Sequence, residues 1–398
     1  MKGRNWLAVL ALAACEPETA EPAWQLYHGD AYSEAPADIP WPAGELALTS
    51  DSGADTLTAL NPLTGQRLAV VQVGRDPVAI DGPHHLAIDR ARGYVYVALS
   101  YPAAALTPGP HAAHGSSIRP GYVQKLRLND LRSVAERAIE ANPGDIALSA
   151  DGSTLVISHF DLATASKVGT VEQRRGRLTW LPAANVGAVA PKTAQVCILP
   201  HGLTVAADGR RAWVACYGED VVAAVDLSVA PPAVVRTPLG PAARSDGAPS
   251  YGPYSLVADP SGQRAAVGCT ESRDLRFFDL QTGEVAKQRW AEPGAGAVYF
   301  AAWSADGAKL WVPTQGPDAI HRVDAATAKT EKTRTFVAGE CQKPHEVQRS
   351  QSGLLLVVCE GDHQGPGQVL ALDPQSLQTL WSVPTGAYPD RVALAGPP

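Results

Sequence analysis

A short hairpin unit recurs along this chain and constrains its fold more than any other feature. The clearest copy covers residues 200–227, in which one apolar run ends at Asp208-Gly209 and two further runs follow at 211–216 and 221–227. An Asp-Gly pair between apolar runs favours a β-hairpin, because both residues tolerate positive φ. A recurring unit of this size predicts a repeat architecture rather than a series of independent domains.

Five further copies share this pattern of a first apolar run, a tight turn and a returning run. Their first runs begin near residues 83, 143, 253, 298 and 344, and their turns lie near Gly93, Asp151-Gly152, Ser261-Gly262, Asp306-Gly307 and Ser352-Gly353. With the 200–227 copy, this makes six complete units. Their starts are 45–60 residues apart, close to the roughly 40–50 residues typical of propeller blades.

Two fragments at the ends of the repeat region complete a seventh unit. Residues 45–49 and 56–60 read as second and third strands without a first, and residues 388–394 read as a first strand with nothing after it. A β-propeller closes in this way, with a C-terminal strand completing the N-terminal blade so that no sheet edge stays open. We predict an all-β, seven-bladed β-propeller with four-stranded blades over residues 41–398.

The segment PHGLTVAADGRRAWVACYGEDVVAAVDL resembles the YVTN-repeat family of seven-bladed propellers, which is related to the lactonase-like propellers. The resemblance covers essentially all of residues 41–398 and implies the fold, but not one function, since the family includes binders, surface proteins and enzymes. The family repeat usually has Asn at the end of the second strand. This chain instead has His159, Cys216, Cys269, Thr314 and Cys359 there.

The N-terminus predicts export. Residues 1–14 combine Lys2 and Arg4 with a short apolar run, and the Leu-Ala-Ala-Cys sequence ending at Cys15 resembles a bacterial lipoprotein signal. The resemblance implies cleavage before Cys15 and lipidation of its thiol, with an ordinary secretory signal as the alternative. Glu16 follows instead of the Asp associated with inner-membrane retention, which favours the outer membrane, on its periplasmic or surface side. Residues 15–40 are acidic and rich in Pro and Ala, as expected of a tether.

Charge and composition limit the partners. The net charge of −7 and the lack of a Lys/Arg cluster argue against nucleic-acid binding. We expect a monomer that meets the membrane through its lipid anchor and binds an unknown small molecule or envelope protein.

Long connections point to one functional face. Residues 101–120, 187–199 and 239–252 form long predicted loops, and all of them fall on the face that also holds the starts of the first strands. Long loops in compact domains are often functional, although they can also be neutral insertions.

One position near the start of each first strand, which follows proline in most repeats, should face the central channel. In blade order it holds Asp390, His84, Asp145, His201, Tyr254, Tyr299 and His345. These residues are the predicted ligand-binding set. Five consecutive blades thus alternate His and Asp, and two tyrosines complete the circle.

Alternating imidazole and carboxylate groups suit a metal site or a general base, because a carboxylate orients the histidine and raises its basicity. His84, His201, His345 and Asp390 are the candidate ligands for a divalent metal or copper. The alternative is that these residues only hydrogen-bond loop backbone and channel water. A covalent c-type haem is excluded, since no Cys-x-x-Cys-His motif is present.

The cysteines allow two interpretations. Counting from the Asp208-Gly209 turn places Cys216 opposite His201, and the same count places Cys359 near His345, so each pair could bind a metal together. In an exported protein, disulfides are the favoured alternative. These are Cys197–Cys216 and Cys341–Cys359, which leave Cys269 as a free thiol.

These patterns favour a binding module that uses the loop-rich face. No nucleophile elbow or helical zinc motif is present to mark a catalytic centre, and the catalytic residues stay unassigned. The first alternative is a lactonase-like, metal-assisted hydrolase that uses the His/Asp ring. The second is a copper- or zinc-binding, or redox-associated, periplasmic propeller.

Overall fold

The computed structural model describes residues 38–76, 79–100, 115–241 and 248–397. Its strands form seven separate antiparallel sheets, six of four strands and one in which the first strand is broken into two pieces. This confirms the predicted seven-bladed β-propeller.

Blades one to three contain the following strands. Blade one has β1 (Leu46–Asp51), β2 (Thr56–Leu60) and β3 (Arg67–Gln72); blade two has β4 (Pro83–Asp89), β5 (Tyr94–Leu99), β6 (Gly121–Arg127) and β7 (Ser133–Ile139); blade three has β8 (Pro143–Leu148), β9 (Thr154–His159), β10 (Gly176–Pro182) and β11 (Lys192–Cys197).

Blades four to seven follow the same order from the inner to the outer strand. Blade four has β12 (Pro200–Val205), β13 (Arg211–Cys216), β14 (Val221–Asp226) and β15 (Ala233–Pro238); blade five has β16 (Pro253–Ala258), β17 (Arg264–Cys269), β18 (Asp274–Asp279) and β19 (Val285–Ala291); blade six has β20 (Ala297–Val298), β21 (Ala302–Trp303), β22 (Lys309–Gln315), β23 (Ala319–Asp324) and β24 (Lys329–Thr335); blade seven has β25 (Pro344–Arg349), β26 (Leu355–Cys359), β27 (Pro366–Leu372) and β28 (Thr379–Ala387).

The last strand, β29 (Pro389–Ala395), closes the ring. It pairs antiparallel with β1, with Val392 opposite Thr49 and Leu394 opposite Ala47. It thereby becomes the innermost strand of blade one, as the two sequence fragments predicted, and leaves no open inner edge.

Apolar side chains fill the spaces between neighbouring blades. The cluster between blades seven and one, for example, includes Leu356, Val358, Leu60 and Val392, all 0% exposed. Equivalent clusters lie between each other pair of neighbours. At about 25 cal/mol per Å² of apolar surface removed from water, this packing is the main force holding the blades together.

Two sequence-based expectations about individual segments are wrong. Residues 187–199 were expected to form a long loop, but β11 occupies much of that segment and pairs with β10 as the outer strand of blade three. The first strand of blade six was expected to be continuous over residues 298–303. It is broken at Tyr299 and Phe300, and only β20 and β21 pair with β22.

Two short helices, α1 (Leu162–Ala165) and α2 (Val171–Arg174), occur in the connection between β9 and β10, and a 3₁₀ turn (Ala183–Asn185) follows β10. None of these was predicted. The side chains of Asp161 and Thr170 cap α1 and α2, respectively, by accepting backbone N–H groups. No helix in the parts of the chain that the structure describes is long and apolar enough to cross a membrane.

Several predicted features lie outside the described residues. These are the signal segment and Cys15, the tether except for its last residues, and residues 101–114 and 242–247 of the predicted loops at 101–120 and 239–252.

Burial of His159 makes a testable contribution to the pH dependence of folding. Its ring nitrogens lie 3.1 Å from the Ala141 carbonyl and 2.8 Å from the Thr179 hydroxyl, and burial lowers its pKa to about 4. The unfolded chain has a histidine pKa near 6.5. The native state is therefore favoured above pH 6.5, and this advantage is lost as the pH falls from about 6.5 to 4.

The free energy of unfolding of the wild type should fall between pH 7 and pH 4.5 as His159 becomes protonated in the unfolded chain. For His159→Gln this fall should be smaller, by up to about 3 kcal/mol. Urea unfolding at both pH values measures the difference, and the comparison cancels titrations common to both proteins. Equal losses in the two proteins would contradict the assignment.

Candidate functional site

The innermost strands share a bulge immediately after their first residue. The register of strand pairing shifts just after Pro83, Pro200 and Pro344, and similar shifts occur in β8, β16 and β29. A β-bulge sets two residues of one strand opposite a single partner residue. Each of these blades can therefore supply two consecutive side chains to the central channel.

The channel residues form two sets, which we call the first and second rings. The first ring holds the residue after each proline, or its blade-six counterpart: His84, Gly144, His201, Tyr254, Tyr299, His345 and Asp390. The second ring holds the next residue of each blade: His85, Asp145, Gly202, Ser255, Phe300, Glu346 and Arg391.

The prediction that Asp145 is equivalent to His84 and His201 is wrong. Asp145 lies two residues after Pro143, in the second ring, and Gly144 takes the equivalent position. A Cβ atom on Gly144 would lie 2.9 Å from the His201 ring, so the glycine leaves space for that imidazole. The alternation of His and Asp therefore runs between the rings rather than around one of them.

The structure brings the other six predicted residues together in a closed circle. His201 stacks on Tyr254 with ring centroids 3.8 Å apart, and Tyr254 meets Tyr299 at 5.4 Å. Tyr299 in turn contacts His345, with centroids 5.2 Å apart. The Asp390 carboxylate lies between His345 and His84, and the His84 ring is 5.9 Å from that of His201.

Asp390 orients two histidines at once. Its Oδ2 contacts Nδ1 of His84, while its Oδ1 lies 3.3 Å from Nδ1 of His345. His345 Nδ1 also lies 2.7 Å from the Asp390 carbonyl oxygen. All of these side chains are buried, so the contacts are shielded from bulk water.

The second ring is an ionic network next to the first. Asp145 Oδ1 lies 2.7 Å from both Nδ1 of His85 and Nη1 of Arg391, and its Oδ2 accepts the Leu203 backbone N–H at 2.9 Å. Glu346 lies 3.7 Å from Arg391 Nε. The imidazole centroids of His84, in the first ring, and His85, in the second ring, are 4.4 Å apart, so the two rings of residues are in contact.

The buried charges shift pKa values in this network. Burial opposes ionisation of Asp145, but the charges of Arg391 and His85 outweigh it and hold the pKa of Asp145 below its usual value. Burial raises the pKa of Glu346, although Arg391 opposes the shift. The phenols of Tyr254 and Tyr299 have pKa values raised by burial, so both stay neutral.

A third group of polar side chains adjoins Asp390 and comes from the loop after β26. Glu360 is fully buried; its Oε2 lies 2.7 Å from Nε2 of His363, and its Oε1 accepts Gln315 Nε2 at 3.2 Å. The His363 ring stacks on Tyr388 with centroids 3.8 Å apart. Nothing in the repeat pattern predicted this group, because it lies in a loop of blade seven alone.

Two overlapping sets of side chains have the spacing to hold a metal ion. His84, His85 and Asp390 form one, and His345, Glu360 and Asp390 form the other; within each, the ligand atoms lie within 4.8 Å of one another. These sets include His84, His345 and Asp390 from the predicted ligands. The fourth predicted ligand, His201, lies beside the first set, 5.8 Å from His85 between ring centroids.

The structure contains the disulfides Cys197–Cys216 and Cys341–Cys359, which the sequence favoured over a Cys/His metal site. The expectation that Cys216 lies opposite His201 is wrong by one residue. Cys216 pairs with Pro200, and Cys359 pairs with Pro344. Each disulfide therefore fixes the chain next to a channel histidine.

The remaining cysteine of the described chain, Cys269, is a buried free thiol. It occupies the same position in blade five, where it pairs with Pro253. Burial raises the pKa of Cys269 well above its usual value, so the thiol stays protonated and poorly reactive.

Serine side chains also fix the backbone of the channel residues. Ser158 of blade three donates to the His201 carbonyl at 2.6 Å, and Ser255 of blade five donates to the Tyr299 carbonyl at 2.8 Å. Ser50 of blade one bonds the His84 carbonyl in the same way. Each serine therefore ties a first-ring residue to the preceding blade.

No protein-family model and no curated protein matches this chain. Among solved structures it is similar to the periplasmic gluconolactonase PpgL of Pseudomonas aeruginosa, with 19% identity, 89% of this chain and 100% of that chain covered, and a TM-score of 0.63. A Bacteroides uniformis protein assigned as a 6-phosphogluconolactonase matches with 13% identity, the same coverage of 89% and 100%, and a TM-score of 0.65.

Apo AztD from Citrobacter koseri matches with 10% identity, 89% of this chain and 98% of that chain covered, and a TM-score of 0.54. At such identities the similarities show the fold alone. The chain is thus a seven-bladed β-propeller with lactonase-like propellers among its structural neighbours, and the disulfides are typical of an exported protein.

Removal of one disulfide tests its structural role. The free energy of unfolding of the double variant Cys197→Ala/Cys216→Ala should be about 3 kcal/mol lower than that of the wild type, as expected for a closed loop of this length. Guanidinium unfolding under non-reducing conditions measures the loss, with Cys269→Ala as a control that removes a buried cysteine without breaking a disulfide. Equal unfolding midpoints for the double variant and the wild type would contradict the prediction.

Proposed function

We propose that this protein is a binding module whose ligand is a divalent transition-metal ion, held in the central channel by His84, His85 and Asp390. The observation that carries the proposal is the orientation of the channel histidines by carboxylates. Metal-binding histidines usually engage an acidic group or carbonyl through their other ring nitrogen, which fixes the ring and raises its basicity.

Two channel histidines follow this pattern. His85 contacts Asp145 and His345 contacts the Asp390 carbonyl, each through Nδ1, so an ion would be bound through Nε2 of these two rings. His84 differs, because its Nδ1 faces the Asp390 carboxylate, and these two groups would share the ion directly. Since the rings of His84 and His85 are only 4.4 Å apart, both can reach the same ion.

The balance of buried charge also supports a bound cation. Four carboxylates, those of Asp145, Glu346, Glu360 and Asp390, are at most 2% exposed. One guanidinium, Arg391, contacts two of them. Buried charge is costly unless it is compensated, and a divalent cation beside Asp390 and Glu360 would reduce this excess of negative charge.

The ligand types narrow the choice of ion. Imidazole nitrogen suits zinc, copper, nickel and iron, whereas magnesium and calcium prefer oxygen ligands. Cys216 and Cys359, next to the first ring, are in disulfides, and burial keeps the thiol of Cys269, at the same position in blade five, protonated. Thiolate ligation is therefore not part of the proposal. Zinc and copper(II) are the ions we expect.

Metal analysis of the full chain tests this proposal. After purification without chelator and exposure to Zn²⁺, the wild type should retain metal through gel filtration. The variant His84→Ala/His85→Ala should bind the ion far more weakly, beyond the roughly 10–100-fold loss typical of removing an outer partner. Isothermal titration measures both affinities.

His321→Gln is the matched control. His321 is a buried histidine between β22 and β24, where it contacts Thr314 and Thr333 rather than the channel. It should leave the affinity unchanged. A wild type that binds neither Zn²⁺ nor Cu²⁺, or a double variant that binds as tightly as the control, would contradict the proposal.

Hydrolysis of a lactone is the second candidate function, favoured by the lactonases among the structural neighbours and by the His85–Asp145–Arg391 network. A bound divalent ion would supply Lewis-acid polarisation of the lactone carbonyl. In this alternative the ion would be held by His345, Glu360 and Asp390, which leaves His85, oriented by Asp145, to act as a general base for water.

This second candidate predicts hydrolysis of D-glucono-1,5-lactone faster than the spontaneous reaction in buffer, measured by acid release at constant pH. His85→Ala should lower the rate about 10²–10⁴-fold, the usual contribution of a general base. His321→Gln should retain the wild-type rate. A rate equal to that of buffer alone for the wild type would exclude this activity while leaving metal binding untouched.

For the cellular location, we propose the cell envelope of a bacterium, with the chain anchored to the outer membrane through lipidated Cys15. The two disulfides support an oxidising compartment. The sequence ending in Leu-Ala-Ala-Cys supports the anchor.

A further inference from the structure

We infer that the channel holds two metal ions rather than one, bridged by the carboxylate of Asp390. The inference deepens the proposed metal-binding function and depends on it. The second ion would be held by His345 and Glu360, which share Asp390 with the first set of ligands.

The two oxygens of Asp390 already face different ligand sets. Oδ2 contacts His84, a member of the first set, whereas Oδ1 lies 3.3 Å from Nδ1 of His345, a member of the second. A carboxylate that gives one oxygen to each of two ions is suited to a two-metal site, in which the ions lie roughly 3.5–4 Å apart.

The second set has its own outer partners, as expected of a separate site. Glu360 is held by His363 Nε2 at 2.7 Å and by Gln315 Nε2 at 3.2 Å, one contact to each carboxylate oxygen. His363 is fixed in turn by stacking on Tyr388, with ring centroids 3.8 Å apart. Ligating carboxylates are usually hydrogen-bonded in this way.

The two sets come from different structural sources. His84 and His85 are consecutive residues of β4, and the bulge in that strand brings both into the channel. Glu360 follows the second strand of blade seven and approaches from the loop side. Neither Glu360 nor His345 belongs to the first set, and neither His84 nor His85 belongs to the second, so a single ion would leave one set unused.

The balance of charge favours the same stoichiometry. The two sets together contain two carboxylates and three histidines, all at most 1% exposed. The only guanidinium in either ring, Arg391, is committed to Asp145 and Glu346 in the second ring. A second divalent cation beside Asp390 and Glu360 would add to the compensation that these carboxylates receive from His84, His345 and His363.

Copper titration of the full chain, followed by electron paramagnetic resonance, tests the inference. Up to one equivalent of Cu²⁺ should give a signal typical of an isolated ion. A second equivalent should bring two ions close enough to couple their spins, so that the isolated-ion signal falls and total bound copper by mass spectrometry reaches two per chain. This readout uses the wild-type protein and needs no variant.

Glu360→Gln should bind one ion instead of two and show no coupled signal, because the amide removes one negative ligand with little change of shape. Glu271→Gln is the control, since Glu271 lies in the corresponding turn of blade five, two residues after Cys269, but it accepts a hydrogen bond from the Tyr217 hydroxyl at 2.6 Å. It should still bind two ions. Thermal melts establish that both variants are folded.

The outcomes separate the two proposals. One tightly bound, uncoupled ion in the wild type overturns the two-ion inference and leaves the proposed metal binding intact. No bound ion contradicts both. Two bound ions without spin coupling, or two ions retained by Glu360→Gln, would place the second ion away from Asp390 and also overturn the inference.

Discussion

The pairing of β29 with β1 is the interaction on which the rest of the structure depends. It closes the ring of blades, and it also delivers Asp390 and Arg391 to the channel. Asp390 holds His84 and His345, from blades two and seven, while Arg391 holds Asp145 of blade three. Closure of the fold and assembly of the site are therefore the same event: a chain lacking its last strand would lose the carboxylate on which the proposed metal site depends.

The bulge after the first proline of the inner strands determines how many functional side chains reach the channel. In a regular strand, adjacent side chains point to opposite faces, so one of His84 and His85 would face away from the channel. The bulge brings both to one place, with ring centroids 4.4 Å apart. The Cys197–Cys216 disulfide lies beside Pro200, because Cys216 pairs with that residue. Together with the serine contacts to first-ring carbonyls, it fixes these inner strands against their neighbours.

The sequence predicts the fold well because the fold consists of repeats, and each turn between two apolar runs indicates another copy of the same unit. The unit split between the two ends of the repeat region predicts how the ring closes. It also predicts six of the first-ring residues and both disulfides. It does not predict the second ring, since a bulge changes register without a distinct residue signature. Asp145 belongs to that ring because Gly144, and not Asp145, is the residue that follows Pro143. The adjacent His84 and His85 were the available hint. Glu360 was missed because it lies outside the repeated positions.

Anomalous X-ray diffraction at the metal absorption edge, from crystals of the full chain grown with Zn²⁺ or Cu²⁺, tests the central claim most directly. The account predicts strong anomalous peaks in the channel, within about 2.0–2.2 Å of imidazole nitrogens of His84 and His85 and of an Asp390 oxygen. A channel without an anomalous peak in metal-loaded crystals, or peaks confined to surface histidines, would contradict it.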